Sequence, residues 1–401
     1  MGRCAARSRA GAKGASEGSP MRMLVLGAGL QGSAAAFDLL QNPEVKEVRL
    51  ADLKVDALRP FLDRFKADAR FRPQALDVKD GAAVRRALSG VDAALSAVPY
   101  YLNGPLAAAA AEQGVHWCDL GGNTEIVKQQ QKLAPLAQQK GITIVPDCGL
   151  APGLVNILAE SAIKRLDSCS ACRLFVGGLP QRPEPPLNYQ LVYSLEGVLD
   201  YYTTPSWVLE KGQPATRVAL SEREPIDLAG VGRLEAFHTA GGLSTMFEKY
   251  RGKIATLEYK TLRYPGHAAI MEALRELGFF DQAPLDVKGV KVAPRDMTIA
   301  TLFPKLNKPK SPDLVALRVV AEGSKGGKAA RVGYEVVDRM DEKNGISAMM
   351  RTTGYSLSIT AQMQAKRVIG PPGVWTPDEC VPADAYLGAL RQRGIEVREF
   401  A

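Results

Sequence analysis

The sequence predicts an α/β chain in which a doubly wound parallel sheet is followed by an α+β domain of mixed or antiparallel sheet. Three observations predict it. Residues 23–34, MLVLGAGLQGSA, pass from an apolar run through three glycines into a helical pattern. Strand-like and helix-like segments then alternate with short links up to residue 149, as parallel strands joined by crossover helices do. Beyond Gly149 the rhythm becomes strand-like stretches separated by turn-rich insertions such as LPQRPEPP.

Taken in order, MRMLVLGAG (21–29) reads as strand and turn, and SAAAFDLLQ (33–41) as a helix with small residues on its packing face. EVRLAD (47–52) is a second strand ending in an acid. The apolar spacing of DALRPFLDRF (56–65) predicts a helix, and FRPQALDV (71–78) a third strand. AAVRRALSG (82–90) is helical, VDAALSAVP (91–99) a fourth strand, PLAAAAAEQG (105–114) a helix and HWCDLGG (116–122) a fifth strand. KQQQKLAPLAQQKG (128–141) predicts one helix and ITIVPDCG (142–149) a sixth strand. APGLVNILAESAIKRL (151–166) is a helix leading out of this domain. CRLFVGGL, TLEYKTLRY, LVALRVVAEG and ARVGYEVVD supply strands of the second domain, TGYSLSITAQMQAKRVI (353–369) is a long helix, and GIEVREF (394–400) a last strand.

Composition narrows the function classes. With 401 residues the chain is long enough for two cores, and its 46% hydrophobic and 23% charged content is that of a globular protein. No apolar run approaches the ~18 residues that span a bilayer. Of the net charge of +8, residues 1–20 contribute +3 (Arg3, Arg7, Arg9 and Lys13 against Glu17), leaving +5 spread over the other 381. That excess is too diffuse for a nucleic-acid footprint but suits an anionic cofactor or carboxylate substrate. Six cysteines do not make a disulfide framework, and CSAC (169–172) lacks the second pair a zinc site needs, so a reducing cytoplasm and no bound metal are expected. Residues 1–20 lack an apolar core like that of a secretory signal and are expected to be a disordered extension outside the fold.

The glycine turn has the context that a dinucleotide site requires: a strand before it, a helix after it and an acid about 20 residues on. Gly27 permits the tight bend, Gly29 the approach of a pyrophosphate and Gly32 close helix–strand packing, with the phosphates over the helix N-terminus. Asp52 is placed to accept hydrogen bonds from ribose hydroxyls and would repel a 2′-phosphate, which favours NAD over NADP. Gln31 belongs to the same turn. Asp77 and Val78 are placed to flank the adenine, and Ala97, Val98 and Pro99, on the carboxyl edge of the fourth strand, to admit the nicotinamide half. Tyr100 and Tyr101 could then wall the reaction centre. Asp119, at the end of the fifth strand, is a candidate partner for a cationic amine.

GAGLQG, SAVPYYLN, WCDLGGN, DCGLAPGLVN (147–156), FHTAGGLST (237–245) and TLRYPGH (261–267) together resemble the saccharopine dehydrogenase family, most closely its lysine 6-dehydrogenase branch, from residue 21 to the C-terminus. The resemblance implies a Rossmann domain (21–150), an inserted catalytic domain that often mediates dimerisation (151–350), and a C-terminal helix and strand (351–401) returning to the Rossmann domain. It also implies a nicotinamide-dependent reaction at an amine carbon of an amino acid. The expected activity is NAD-dependent oxidative deamination of the ε-amine of L-lysine. Saccharopine dehydrogenase, or a relative acting on another amine–carbonyl conjugate, is the second enzymatic reading, and a non-catalytic NAD-binding sensor the reading from another class.

Such a reaction requires a proton acceptor, because a substrate ammonium with a pKa near ~10.4 must be neutral before hydride leaves its carbon. Among the residues of the second domain and the fifth strand, His238, Asp119 and Glu235 are the candidates. Arg233 and Arg263 are candidates for holding the α-carboxylate, since a guanidinium forms planar bidentate pairs. Gly241 and Gly242, followed by Ser244 and Thr245, look like a loop offering N–H groups to the same carboxylate. Tyr101, Thr239 and His267 complete the expected substrate surroundings.

Overall fold

Met23, Leu24, Val25 and Leu26 are fully buried, as a strand covered on both faces requires. They belong to β1 (Met21–Leu26), the centre of a parallel sheet. The computed structural model describes residues 21–56 and 58–401, so the extension expected over 1–20 lies outside the described residues. After β1 come α1 (Leu30–Gln41), β2 (Val45–Asp52), β3 (Phe71–Ala75), α2 (Gly81–Leu88), β4 (Ala93–Ser96) and α3 (Asn103–Gln113). β5 (His116–Asp119), α4 (Thr124–Gln131), α5 (Ala134–Lys140) and β6 (Thr143–Val145) finish the first half. The second half runs α6 (Leu154–Lys164), β7 (Ser168–Pro180), α7 (Leu195–Thr203), β8 (Ser206–Glu210), β9 (Gln213–Arg217), β10 (Glu224–Leu228) and β11 (Gly232–His238). It continues through α8 (Met246–Lys249), β12 (Thr256–Arg263), α9 (His267–Glu276), the hairpin β13 (Leu285–Val287) and β14 (Val290–Val292), α10 (Pro294–Leu306), β15 (Asp313–Lys325) and β16 (Lys328–Arg339). α11 (Ala348–Ala365), β17 (Gly373–Val374), α12 (Pro377–Cys380), α13 (Ala383–Gln392) and β18 (Arg398–Phe400) end the chain.

The first sheet is seven-stranded and parallel, in the order β17-β6-β5-β4-β1-β2-β3. Its order reverses between β1 and β4, so the glycine turn after β1 and residues 97–99 after β4 face each other across the crevice where such sheets bind ligands. The second sheet is nine-stranded, with the path β10-β11-β12-β7-β15-β16-β18 and β8 and β9 branching from β12. Only β7 and β12 run parallel in it; its other pairs are antiparallel. α11 packs on α1, β4 and β5 on one side and on β15 on the other, so one helix ties the two sheets together. Gly354 lets it approach, since a Cβ there would lie 2.6 Å from the carbonyl oxygen of Gln31. Among the described residues no helix is long and apolar enough to cross a membrane.

Three expectations differ from the structure. The helix expected over 56–65 is only a 3₁₀ segment, Pro60–Phe65, because the proline holds Arg59 extended at φ −64°, ψ 136°. The single helix expected over 128–141 is two, α4 and α5, broken just before Pro135, whose ring cannot continue a helix from below. The C-terminal strand does not return to the Rossmann sheet: β18 pairs antiparallel with β16 of the second sheet. The strand that does return is β17, two residues long, which pairs with β6. So short a strand carries no periodicity to read.

Candidate active site

The turn after β1 is built for close approach. Gly27 has φ +95°, and a Cβ there would stand 2.9 Å from the carbonyl oxygen of Ala97. A Cβ on Gly32 would meet the Gly27 carbonyl oxygen at 1.8 Å, so only glycine lets α1 leave the turn at this angle. Gly29 is different: no heavy atom lies within 4 Å of where its Cβ would be. No side chain caps α1, whose N-terminus therefore keeps its first N–H groups for an anion laid over Gly29. Asp52 accepts from the Ala28 N–H at 2.7 Å and from the Lys54 N–H at 3.1 Å, which pins its carboxylate at the mouth of the turn. Asp77 caps its own turn through the Lys79 N–H at 2.9 Å. Val78 packs with Val98 on the core beside the first sheet. The Oε1 of Gln31 is buried without a hydrogen-bond partner, an acceptor left open beside the turn. These features fit a dinucleotide.

A cavity of about 320 Å³ opens from this crevice toward the second sheet. Gln31 and Val98 line its cofactor end, Gly121, Ala151 and Pro152 one wall, and Thr239, Tyr259, Thr261 and Arg263 the floor. The floor follows from strand parity. In β12, Tyr259, Thr261 and Arg263 share one face, while Glu258 and Lys260 share the other. Tyr193 and Tyr201 close the cavity from the segment around α7.

Among the described residues Arg263 is the only charged side chain lining the cavity, and it is 3% exposed. Its Nε donates to Tyr202 Oη at 3.2 Å, its Nη1 to the Leu262 carbonyl at 2.8 Å, and its guanidinium lies 4.7 Å from the Tyr189 ring centre. Among the described residues it forms no ion pair. A buried guanidinium without an acid is costly unless a ligand supplies the counter-charge.

Two family models cover almost the whole described chain. The saccharopine dehydrogenase NADP binding domain matches residues 23–145, and the saccharopine dehydrogenase C-terminal domain matches residues 149–395. The chain belongs to the saccharopine dehydrogenase family. Its first domain is therefore a nicotinamide-dinucleotide-binding domain. Curated relatives of the family include bovine mitochondrial alpha-aminoadipic semialdehyde synthase, 25% identical over 69% of this chain and 30% of that protein. The NADP-dependent, L-glutamate-forming saccharopine dehydrogenase of Schizosaccharomyces pombe is 26% identical over 52% of this chain and 48% of that one. The matched stretch thus spans less than half the length of either relative. The solved saccharopine dehydrogenase (L-Glu forming) of Saccharomyces cerevisiae shares the fold, with TM-score 0.78 at 20% identity over 95% of this chain and all of that one. Homospermidine synthase of Legionella pneumophila, solved with NAD, matches with TM-score 0.69 at 12% identity over 95% of this chain and 91% of that one.

The three expected proton acceptors all lie off the cavity. His238 pairs in register with Lys260, so it sits on the far face of the sheet from Arg263. There its Nε2 lies 3.1 Å from Glu222 and 3.7 Å from Glu258, while its Nδ1 is buried without a partner. Burial, reinforced by Lys260, holds its pKa below the usual imidazole value. Glu222, His238 and Glu258 bring ligand-type atoms within 4.8 Å of one another. Both carboxylates are already held by arginines, Arg217 at 2.7 Å and Arg173 at 2.9 Å, which makes the group an ion-pair network. Asp119 is fully buried and accepts from the Trp117 indole at 2.9 Å, Gln130 at 2.8 Å and the Gly121 N–H at 2.8 Å. Its acceptor capacity is spent on holding the strand end. Glu235 stands across the ladder from Arg263, yet its carboxylate accepts the N–H groups of Gly266 and Ala268 at the start of α9.

The expected substrate contacts divide in the same way. Arg263 and Thr239 line the cavity; Arg233, exposed at the start of β11, and Tyr101, 59% exposed, do not. Gly241 and Gly242 make room for rings. A Cβ on Gly241 would lie 3.0 Å from Tyr201, and one on Gly242 2.3 Å from the Tyr259 ring, both rings being cavity walls. His267 lies beneath Arg263, its Nε2 2.9 Å from Tyr202 Oη.

Tyr193, Tyr201, Tyr202 and Tyr259 were not singled out by the sequence. The alternation of YKTLR around Arg263 carries a signal for Tyr259 and Thr261. Asp147 was missed as well. It is buried at φ +63°, accepts from Ser244 Oγ and from the Gly122 N–H at 3.1 Å, and burial raises its pKa to about 7. It lies directly against Gly121 of the cavity wall, where a Cβ would fall 1.5 Å from its Oδ1.

Proposed function

We propose that this protein oxidises the side-chain amine of L-lysine with NAD, releasing ammonia and 2-aminoadipate 6-semialdehyde. The observation that carries the reading is Arg263, a lone buried guanidinium in an otherwise uncharged cavity that opens onto the dinucleotide crevice. It suits a substrate with one carboxylate. Saccharopine, with three, would bring two further anions into a space lined, among the described residues, by no second cation. Asp52 supports NAD, because a 2′-phosphate there would meet a carboxylate already fixed by two backbone N–H groups.

The protein supplies orientation and charge placement, while a bound nicotinamide supplies the hydride acceptor. Arg263 holds the α-carboxylate and the rings of Tyr201 and Tyr259 flank the chain of the substrate. Among the described residues the cavity wall has no carboxylate or imidazole, and burial raises the Tyr201 and Tyr259 phenols above their ordinary range. The amine therefore enters as the free base. kcat/KM for lysine is expected to rise about tenfold per pH unit toward the amine pKa of ~10.4; a plateau beginning near neutrality would show instead that an enzyme group takes the proton. Arg263→Gln should lower kcat/KM by roughly 100-fold, about 3 kcal/mol, while NAD binding followed by fluorescence stays intact. An unchanged rate would remove the carboxylate anchor from the account.

The family favours a second reading, saccharopine dehydrogenase, since two of the relatives named above, those of Schizosaccharomyces pombe and Saccharomyces cerevisiae, carry that name. Under that reading the two additional carboxylates would have to bind through hydroxyls and backbone N–H groups.

A further inference from the structure

The hydrogen bonds that hold Arg263 run away from the cavity in a fixed direction. His267 Nδ1 lies 3.0 Å from the carbonyl of Leu187. A carbonyl only accepts, so Nδ1 carries the proton and Nε2 of the neutral ring is left as an acceptor. Tyr202 Oη, 2.9 Å from Nε2, must donate its one proton there. Its lone pair is then turned to the Nε–H of Arg263, 3.2 Å away. Each assignment forces the next. His267 is 1% exposed and Tyr202 1%, and the two rings pack edge-on at 5.8 Å, so neither side chain has room to turn. The ring stays neutral: burial, with the Arg263 charge beside it, pushes the His267 pKa down to about 3.

We propose that Tyr202 and His267 are positioning residues: they lock the guanidinium of Arg263 by its Nε edge and thereby set affinity for the carboxylate of the substrate, leaving the chemical step untouched. This rests on the reading of Arg263 as carboxylate anchor. The hydrogen bonds that Arg263 makes inside the protein use Nε–H and one N–H of Nη1, which leaves the second N–H of Nη1 and both of Nη2 for a two-pronged grip on the ligand. A freely pivoting guanidinium would lose the alignment that bidentate recognition needs. His267 thus acts at one remove, through Tyr202, and touches no substrate atom.

The test compares L-lysine with 1,5-diaminopentane, which is lysine without the carboxylate, on the full chain with NAD. Tyr202→Phe removes the hydroxyl. His267→Asn keeps a donor to Leu187 but removes the acceptor for Tyr202, whereas His267→Gln can restore an acceptor near the Nε2 position. Tyr202→Phe and His267→Asn should raise KM for lysine about tenfold with kcat kept. They should leave kcat/KM for diaminopentane within about twofold of wild type, and His267→Gln should recover most of the lysine KM. Equal losses on both substrates, or an unchanged lysine KM, would overturn the proposal. Imidazole ¹⁵N shifts of the wild-type protein test it without any variant having to fold: His267 Nε2 should stay unprotonated between about pH 6 and 9, and a protonated Nε2 would overturn it. If the wild type uses diaminopentane as well as lysine, the carboxylate reading of Arg263 has failed. If the wild type prefers lysine and the variants keep that preference, the relay alone has failed.

Discussion

Arg263 and Asp147 are two buried ionisable groups whose environments leave them in opposite states. Arg263 stays cationic among tyrosines and has no acid partner among the described residues, which is the ground on which we propose it as the receptor of an anion. Asp147 lies behind the cavity wall with its carboxyl raised to about 7 by burial, against a partly offsetting hydrogen bond from Ser244. Its folded pKa lies above the unfolded one, so the native state holds the proton that the unfolded chain releases. Stability contributed by this group is therefore present below about pH 4 and is lost as pH rises to about 7. Asp147→Asn, whose amide oxygen can accept the Gly122 N–H while its NH2 donates to Ser244 Oγ, and which tolerates φ +63°, should gain stability relative to wild type across that window and hold a constant advantage above it. Urea midpoints at a series of pH values check this; a gap that does not change with pH would contradict it. At this scale the sequence was partly legible. LRYPGH pointed to Arg263, because an arginine between an apolar strand and a turn is placed to face a site. The same reasoning misplaced His238 and Glu235, because side-chain parity in β11 and the capping needs of α9 are properties of neighbouring elements that local spacing does not carry.

The glycine turn and the strand order it serves were legible because they depend on short-range rules. An apolar run, three glycines and an acid at the next strand end leave few other structures available. The structure separates the three glycines by their work. Gly29→Ala meets no atom within 4 Å and sits at φ −66°, so it should leave the melting temperature unchanged or slightly raised. It should nevertheless raise KM for NAD by at least about tenfold, because a methyl would fill the space over which the pyrophosphate lies. Gly32→Ala would drive a methyl into the Gly27 carbonyl at 1.8 Å and should cost about 2 kcal/mol or more of stability. A thermal melt and an NAD titration of each variant decide the matter; equal effects of both on stability would contradict this division. The elements that were misread failed for reasons of the same kind. Pro60 and Pro135 interrupt stretches whose apolar spacing alone reads as continuous helix. β17 is too short to register.

Across the whole molecule, function depends on how two sheets meet. The parallel sheet presents its switch point, the mixed sheet presents the Arg263 face of β12, and α11 fastens one to the other so that the cavity lies between them. The alternation of elements made the first sheet readable, and the change of rhythm after Gly149 announced the second. Which edge each C-terminal strand joins depended on long-range packing: β17 completes the first sheet and β18 the second. The family is secure from both domains together. The choice of substrate rests on one cation in one cavity. The most direct test is the initial rate of NADH formation at alkaline pH with L-lysine, and in parallel with saccharopine, followed by the absorbance of NADH with released ammonia measured in the same samples. Turnover with lysine and stoichiometric ammonia is expected, with little or no rate on saccharopine. Turnover confined to saccharopine would contradict the lysine reading and show that the two additional carboxylates bind without a second cation in the cavity.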